Sequence, residues 1–126
     1  KNFVKTMLHL FSIKDELNVV ADQFGQPTNA TDLAEAIMEI VKSNKKAPGI
    51  YNFSNEGKIS WYDFAKKIAE ISQSSVIVNP IETSQYPTPA KRPQNSTLEL
   101  EIIKTSYHVK RKPWEESLQK TISLLQ

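Results

Sequence analysis

The chain has 126 residues, enough for one domain whose core needs neither disulfides nor metals, and its ordinary hydrophobic share of 39% argues against disorder. Its 16 basic and 14 acidic residues are interspersed, and a net charge of +2 lacks the one-sided basic bias of a dedicated nucleic-acid binder. Cysteine is absent, which excludes disulfides and thiolate metal sites and fits a cytoplasmic protein, and no apolar run approaches the ~20 residues of a membrane span. No signal-peptide pattern opens the chain. Lys1 enters a helical pattern directly and without a methionine, as a cut inside a longer protein would leave it.

From Asn2 to Ile13, the apolar residues Phe3, Val4, Met7, Leu8, Leu10, Phe11 and Ile13 form a broad stripe at helical spacing. Asn2 is either its N-cap or a product of the cut. Leu17–Ala21 reads as a short strand, followed by a loop at 22–28 in which Gly25 is free to take a positive φ and Pro27 fixes the exit. Thr28 or Thr31 caps the next predicted helix, with Asp32 in its first turn and Leu33, Ile37, Ile40 and Val41 turned to the core. Pro48-Gly49 is a turn. Ile50–Ser54 alternates as a strand does, and Asn55-Glu56-Gly57 leaves it.

Ser60-Trp61-Tyr62-Asp63 has the form of a capping box with Asp in place of Glu. It opens a helix to about Ser72 with Trp61, Phe64, Ala65, Ile68 and Ile71 inward. Val76–Val78 is a β-branched strand that Asn79-Pro80 should end. Tyr86–Ser96 holds three of the seven prolines and the pair Lys91-Arg92, so it forms a stiff, extended loop. Such a loop either holds an anion on a preset guanidinium fork or is a connector with two solvated charges. Leu98 to about Tyr107 reads as a short helix. Pro113 fits the first position of the last helix, where Trp114, Leu118, Ile122 and Leu125 make one narrow face. This alternation of helices and strands is of the α/β class.

No catalytic or metal-binding constellation is built into these residues. His9 and His108 stand alone, and no acidic ligand set accompanies them. The three glycines, at 25, 49 and 57, are too scattered for a phosphate-cradling turn, so the chain by itself binds no dinucleotide in the usual way. Gln23, Phe24 and Gln26 offer two amides and a ring in a loop before a helix, a place suited to an anion or a heterocycle. Trp61 and Trp114 are core anchors or, less simply, stacking platforms.

Four stretches, taken in order, resemble one family: Asn2–Leu8, Val19–Thr28, Gly49–Gly57 with Ser60–Ala65 (Ser-Trp-Tyr-Asp-Phe-Ala), and Tyr86–Ser96. They are similar to the C-terminal part of the dTDP-4-dehydrorhamnose reductases, which are extended short-chain dehydrogenases/reductases. The resemblance implies the C-terminal, substrate-binding part (residues 1–126) of a Rossmann-type α/β fold, with helices and a few short strands. The cofactor half would be absent.

It further implies reduction of a dTDP-4-dehydro-sugar to dTDP-L-rhamnose with NADPH or NADH, both bound outside this chain. Arg92 would grip the diphosphate, with Asn2 as a second candidate. Gln23, Phe24 and Gln26 would line the nucleotide end. Tyr51 and Ser54 would lie in a strand completing the missing Rossmann sheet, and the exposed edges left behind would drive self-association.

The family's catalytic Tyr-x-x-x-Lys pair belongs to the other half. Tyr62 and Lys66 match it by letter, which helix spacing alone explains. Two other readings are open: a non-catalytic subunit like the regulatory subunit of methionine adenosyltransferase, and a reductase of another nucleotide sugar.

Overall fold

A computed structural model describes residues 2–125. The order is α1 (Phe3–Phe11), β1 (Glu16–Val20), β2 (Phe24–Gly25), α2 (Ala30–Lys42), β3 (Ile59–Ser60), α3 (Trp61–Ile71), β4 (Ile77–Ile81), α4 (Glu101–Tyr107) and α5 (Trp114–Ser123), with a 3-10 turn at Thr83–Gln85. This is the expected mixture of helices with a few short strands.

Helix α3 is the centre. Its start is set locally: Ser60 Oγ accepts from Asp63 N at 3.0 Å, and the Asp63 carboxylate accepts from Ser60 N at 3.1 Å, the reciprocal cap foreseen in the sequence. Ala65 and Ile68 are fully buried, and the small alanine lets neighbours approach closely. Around them pack α1 through Met7, α5 through Trp114, Leu118 and Ile122, and β1 through Val19. Truncating a side chain as enclosed as Ile68 to alanine costs about 2–5 kcal/mol. Ile13 and Leu125 fall past the ends of their helices and are exposed.

Strands β1 and β4 pair in parallel from Glu16↔Ile77 to Val20↔Ile81, joined by a crossover that includes α2 and α3. β4 runs through Asn79-Pro80, where the sequence pattern ended it. The reason is directional. Ile77 donates to Asp15 O and Ile81 accepts from Ala21 N, so alternate residues face β1 and Pro80 faces the open edge, where no N–H is needed.

β2 lies within the 22–28 stretch expected to be a loop. It pairs antiparallel with β3, Phe24 opposite Ser60 and Gly25 opposite Ile59. Gly25 is not left-handed there; among the described glycines only Gly57 has a positive φ, 109°. What Gly25 provides is close approach, since a Cβ would stand 2.9 Å from Ser96 Oγ.

Helix α2 departs most from expectation. Its cap is Asn29, whose Oδ1 accepts from Thr31 N at 2.8 Å and Asp32 N at 3.2 Å; Thr28 and Thr31 do not serve. The helix packs through the stripe Asp32, Ala36 and Ile40, with Ile103, Val109, Tyr51 and Phe53. The neighbouring stripe Leu33, Ile37 and Val41, expected inside, is exposed, and Val41 is 63% accessible.

Ile50–Ser54 is not a strand either. Among the described residues it has no ladder partner, and Ile50 is 90% accessible. A strand exists only by pairing, so an alternating sequence with nothing beside it stays merely extended. Trp61, expected inward, is 46% accessible. The helix before Pro113 begins at Glu101, later than foreseen, and Pro113 is the cap of α5 with Trp114 as its first residue.

Candidate functional site

A groove of about 790 Å³ opens between the start of α1, the segment from Gln23 to Asp32, the start of α3 and one face of α5. Its aromatic wall is continuous. Trp61 and Phe3 lie 4.9 Å apart between ring centroids, Phe3 stacks on Phe64 at 5.5 Å, and Phe64 meets Trp114 edge-on at 5.7 Å. The indole at the outer end is half-exposed, whereas Trp114 at the inner end is buried in the core. A flat apolar face beside polar amides suits a heterocycle or a sugar ring.

Asn2, Gln23 and Gln26 all line this groove. Asn2 caps α1, its Oδ1 accepting from Lys5 N at 2.9 Å, which leaves its amide NH2 for the groove. Gln23 is buried. Its Nε2 donates to Thr83 Oγ1 at 3.0 Å, and Thr83 is itself tied to Asp22 through its N and Oγ1 at 2.9 and 2.7 Å. Phe24 lies outside the groove lining, with the Lys58 ammonium 5.2 Å from its ring centroid.

The proline loop is stitched to the same segment. Phe24 N donates to Gln94 O at 2.8 Å, Ser96 N donates back to Phe24 O at 2.9 Å, and Leu98 N donates to Gln26 Oε1 at 2.8 Å. Two stretches singled out from sequence, about seventy residues apart, are thus brought into contact. Arg92 is exposed, does not line the groove, and makes no hydrogen bond or ion pair among the described residues. Its guanidinium is free to meet an anion.

The groove floor is a polar cluster that sequence reasoning missed. Asp32 accepts from Asn55 Nδ2 at 2.6 Å, from Lys112 Nζ at 3.1 Å and from Ser117 Oγ. Asn55 Oδ1 in turn accepts from Asn29 N at 2.8 Å, and Asn29 Nδ2 donates to Thr121 Oγ1 at 2.8 Å. Burial pushes the Asp32 carboxyl up, but hydrogen bonds from Ser117, Asn55 and Lys112 outweigh burial and hold it below its ordinary value. Hydrogen bonds to Glu35 and Asp32 push Lys112 up to about 12. These charges answer one another, which makes the cluster a fastening of α2 to α5. Of its members only Asp32 had a local signal, as a first-turn acid.

Tyr62 and Lys66 do not form a phenol–ammonium pair. The ammonium lies over the ring, 5.9 Å from its centroid, and neither residue lines the groove. Among the described residues no three histidine, aspartate or glutamate side chains converge to hold a metal ion. No helix among them is long and apolar enough to cross a membrane.

The model of the RmlD substrate binding domain family matches residues 1–126. The chain belongs to this family. A dTDP-4-dehydrorhamnose reductase of Sinorhizobium fredii is 40% identical to it over 131 aligned residues, covering 97% of this chain and 44% of the relative. A crystal structure of a dTDP-4-dehydrorhamnose reductase from Clostridium acetobutylicum superposes with a TM-score of 0.93 at 39% identity, over all of this chain and 44% of that one. The Bacillus anthracis reductase, solved in complex with NADP, gives 0.89 at 34% identity, again over 100% and 44%. This substrate binding domain therefore spans less than half the length of the relatives it matches.

Proposed function

We propose that this chain is the dTDP-sugar-binding part of a dTDP-4-dehydrorhamnose reductase, which reduces the 4-keto group of dTDP-4-dehydro-L-rhamnose to give dTDP-L-rhamnose. The observation that carries the reading is the shared groove. Asn2 and Gln23 stand on one cleft with an exposed indole, and the loop bearing Arg92 is hydrogen-bonded to its rim. In this reading Arg92 meets the diphosphate, a charge-assisted contact suited to a guanidinium fork. Asn2 donates a second hydrogen bond, Gln23 and the rim beside Phe24 receive the nucleoside end, and the hydride donor is NADPH held by the remainder of the reductase. The Bacillus anthracis relative carries NADP, which supports that choice of nicotinamide.

The remainder of such a reductase also accounts for what lies bare here. Leu33, Ile37, Met38 and Val41 of α2 are exposed together, and the backbone of Ile50–Ser54 has no ladder partner among the described residues. An apolar helix face and an unpaired extended run are what a sheet of a second domain covers. On its own, the chain should pair through them with copies of itself.

The test is steady-state kinetics of the reductase that carries this chain, with NADPH and dTDP-4-dehydro-L-rhamnose. Loss of a charge-assisted contact is worth about 1.5–3 kcal/mol, so Arg92→Ala should raise KM by roughly 10- to 150-fold. An unchanged KM would remove Arg92 from the site. Turnover of a different dTDP-sugar, with none of this one, would reassign the substrate.

A further inference from the structure

We infer that Gln26 acts through the proline loop as a positioning residue, its side-chain carbonyl replacing a rung that the backbone does not make. The two backbone bonds at Phe24, N–H to Gln94 O and C=O from Ser96 N, are those of a parallel ladder centred on the Phe24↔Asn95 pair. Continued to the Gln26↔Thr97 pair, the ladder would run from Gln26 N–H to Ser96 O and then from Leu98 N–H to the backbone carbonyl of Gln26, and among the described residues neither backbone bond is made. Pro27 follows Gln26, and the chain leaves β2 there for the start of α2. Leu98 N instead donates to Gln26 Oε1 at 2.8 Å, so the ladder gains a third rung through a side chain.

Two rungs alone make a marginal contact, and this loop has little else to hold it. Residues 84–96 are all exposed, and beyond local bonds to chain neighbours, such as those of the 3-10 turn to Glu82 and Thr83, the hydrogen bonds from this loop to the rest of the described residues are those to Phe24. Ser96 Oγ adds a 3.1 Å bond to the same Phe24 carbonyl, against Gly25, where no side chain intervenes. The third rung fixes the exit of the loop beyond Ser96 and limits fraying back toward Gln94, only two residues from Arg92. This inference rests on the reading that Arg92 meets the diphosphate. It assigns Gln26 the task of presenting that arginine.

The chemistry supplies its own control, because an acceptor is all that the rung requires. Gln26→Leu keeps the bulk and removes the acceptor; Gln26→Glu keeps an acceptor at the same reach and removes the amide NH2. On the reductase that carries this chain, trypsin cleavage after Lys91 and hydrogen exchange of the Leu98 amide report the anchoring directly. Both should speed up in Gln26→Leu and return toward the parent rates in Gln26→Glu. On the reductase, Gln26→Leu should raise KM by about 3- to 10-fold at little change in kcat, the size of one neutral hydrogen bond, with recovery in Gln26→Glu.

Equal rises in KM for both variants with the loop still protected would show a direct amide–ligand contact and overturn the inference. So would parent-like cleavage and exchange in Gln26→Leu. Arg92→Ala run alongside separates the two claims. If it is silent while Gln26→Leu loosens the loop, the diphosphate reading fails and the anchoring by Gln26 stands.

Discussion

Gly57→Ala probes how the groove floor is held. Gly57 has φ 109°, a conformation that side chains resist, and a Cβ there would stand 2.4 Å from Trp114 Cδ1 and 2.8 Å from Nε1. The backbone strain is worth about 1–3 kcal/mol and the overpacking about 1–3 kcal/mol, less about 0.4–1 kcal/mol from the stiffened unfolded chain. The net loss should be about 3 kcal/mol.

The indole cannot step aside freely, because it packs edge-on against Phe64, and the Trp114 backbone N–H donates to Glu56 O at 3.0 Å and closes the same corner. Urea unfolding followed by circular dichroism should show a lower midpoint at unchanged slope, and the melting temperature should fall by ~10 °C. Gly49→Ala is the control: the nearest atoms to its Cβ would be those of the Tyr51 side chain, at 3.3 Å and beyond. A Gly57→Ala protein within about 0.5 kcal/mol of the parent would refute the packing argument.

Three further outcomes follow from the same structure. Asp32→Asn should cost about 1–3 kcal/mol near neutral pH, because a buried charged acceptor is lost. The Asp32 carboxyl lies below its ordinary 3.8 when folded, so its stabilisation is present above that value and fades as pH falls through the lowered one; urea midpoints of parent and variant should converge there, and a gap independent of pH would contradict this. Asn2→Ala should cost about 1 kcal/mol by uncapping α1, seen as earlier thermal loss of ellipticity; an unchanged melting curve would mean the cap carries no weight. Sedimentation at high concentration should show self-association of the chain, reduced by Ile37→Lys on the exposed face of α2, and a clean monomer would contradict the bare-face reading.

What was legible in the sequence was whatever physics acts over three or four residues. The Ser60–Asp63 cap, the narrow face of Trp114, Leu118 and Ile122, and the β-branched run entering β4 all rest on local spacing. Position 29 was missed because three cap-capable residues crowd 28–31 and only the tertiary bond from Asn29 N to Asn55 selects among them. Helix α2 carries two adjacent stripes, and spacing alone cannot say that Asp32, Ala36 and Ile40 go inward while the more apolar one stays out.

The same limit applies to the site. Gln23 and Gln26 were found as amides in a loop before a helix, but their partners Thr83 and Leu98 lie 60 and 72 residues away. Asn55 and Ser117 looked like ordinary polar residues because their burial depends on Asp32, 23 and 85 positions distant. The strand expected at Ile50–Ser54 marks a different kind of limit, since alternation alone does not supply the pairing that makes a strand.

The most direct test of the central claim is hydrogen exchange of the reductase that carries this chain, with and without saturating dTDP. The account predicts slowed exchange at residues 23–28 and 91–98 together, with the Arg92→Ala reductase losing that protection at the same dTDP concentration. Protection confined to other segments, with these two stretches unchanged, would contradict it.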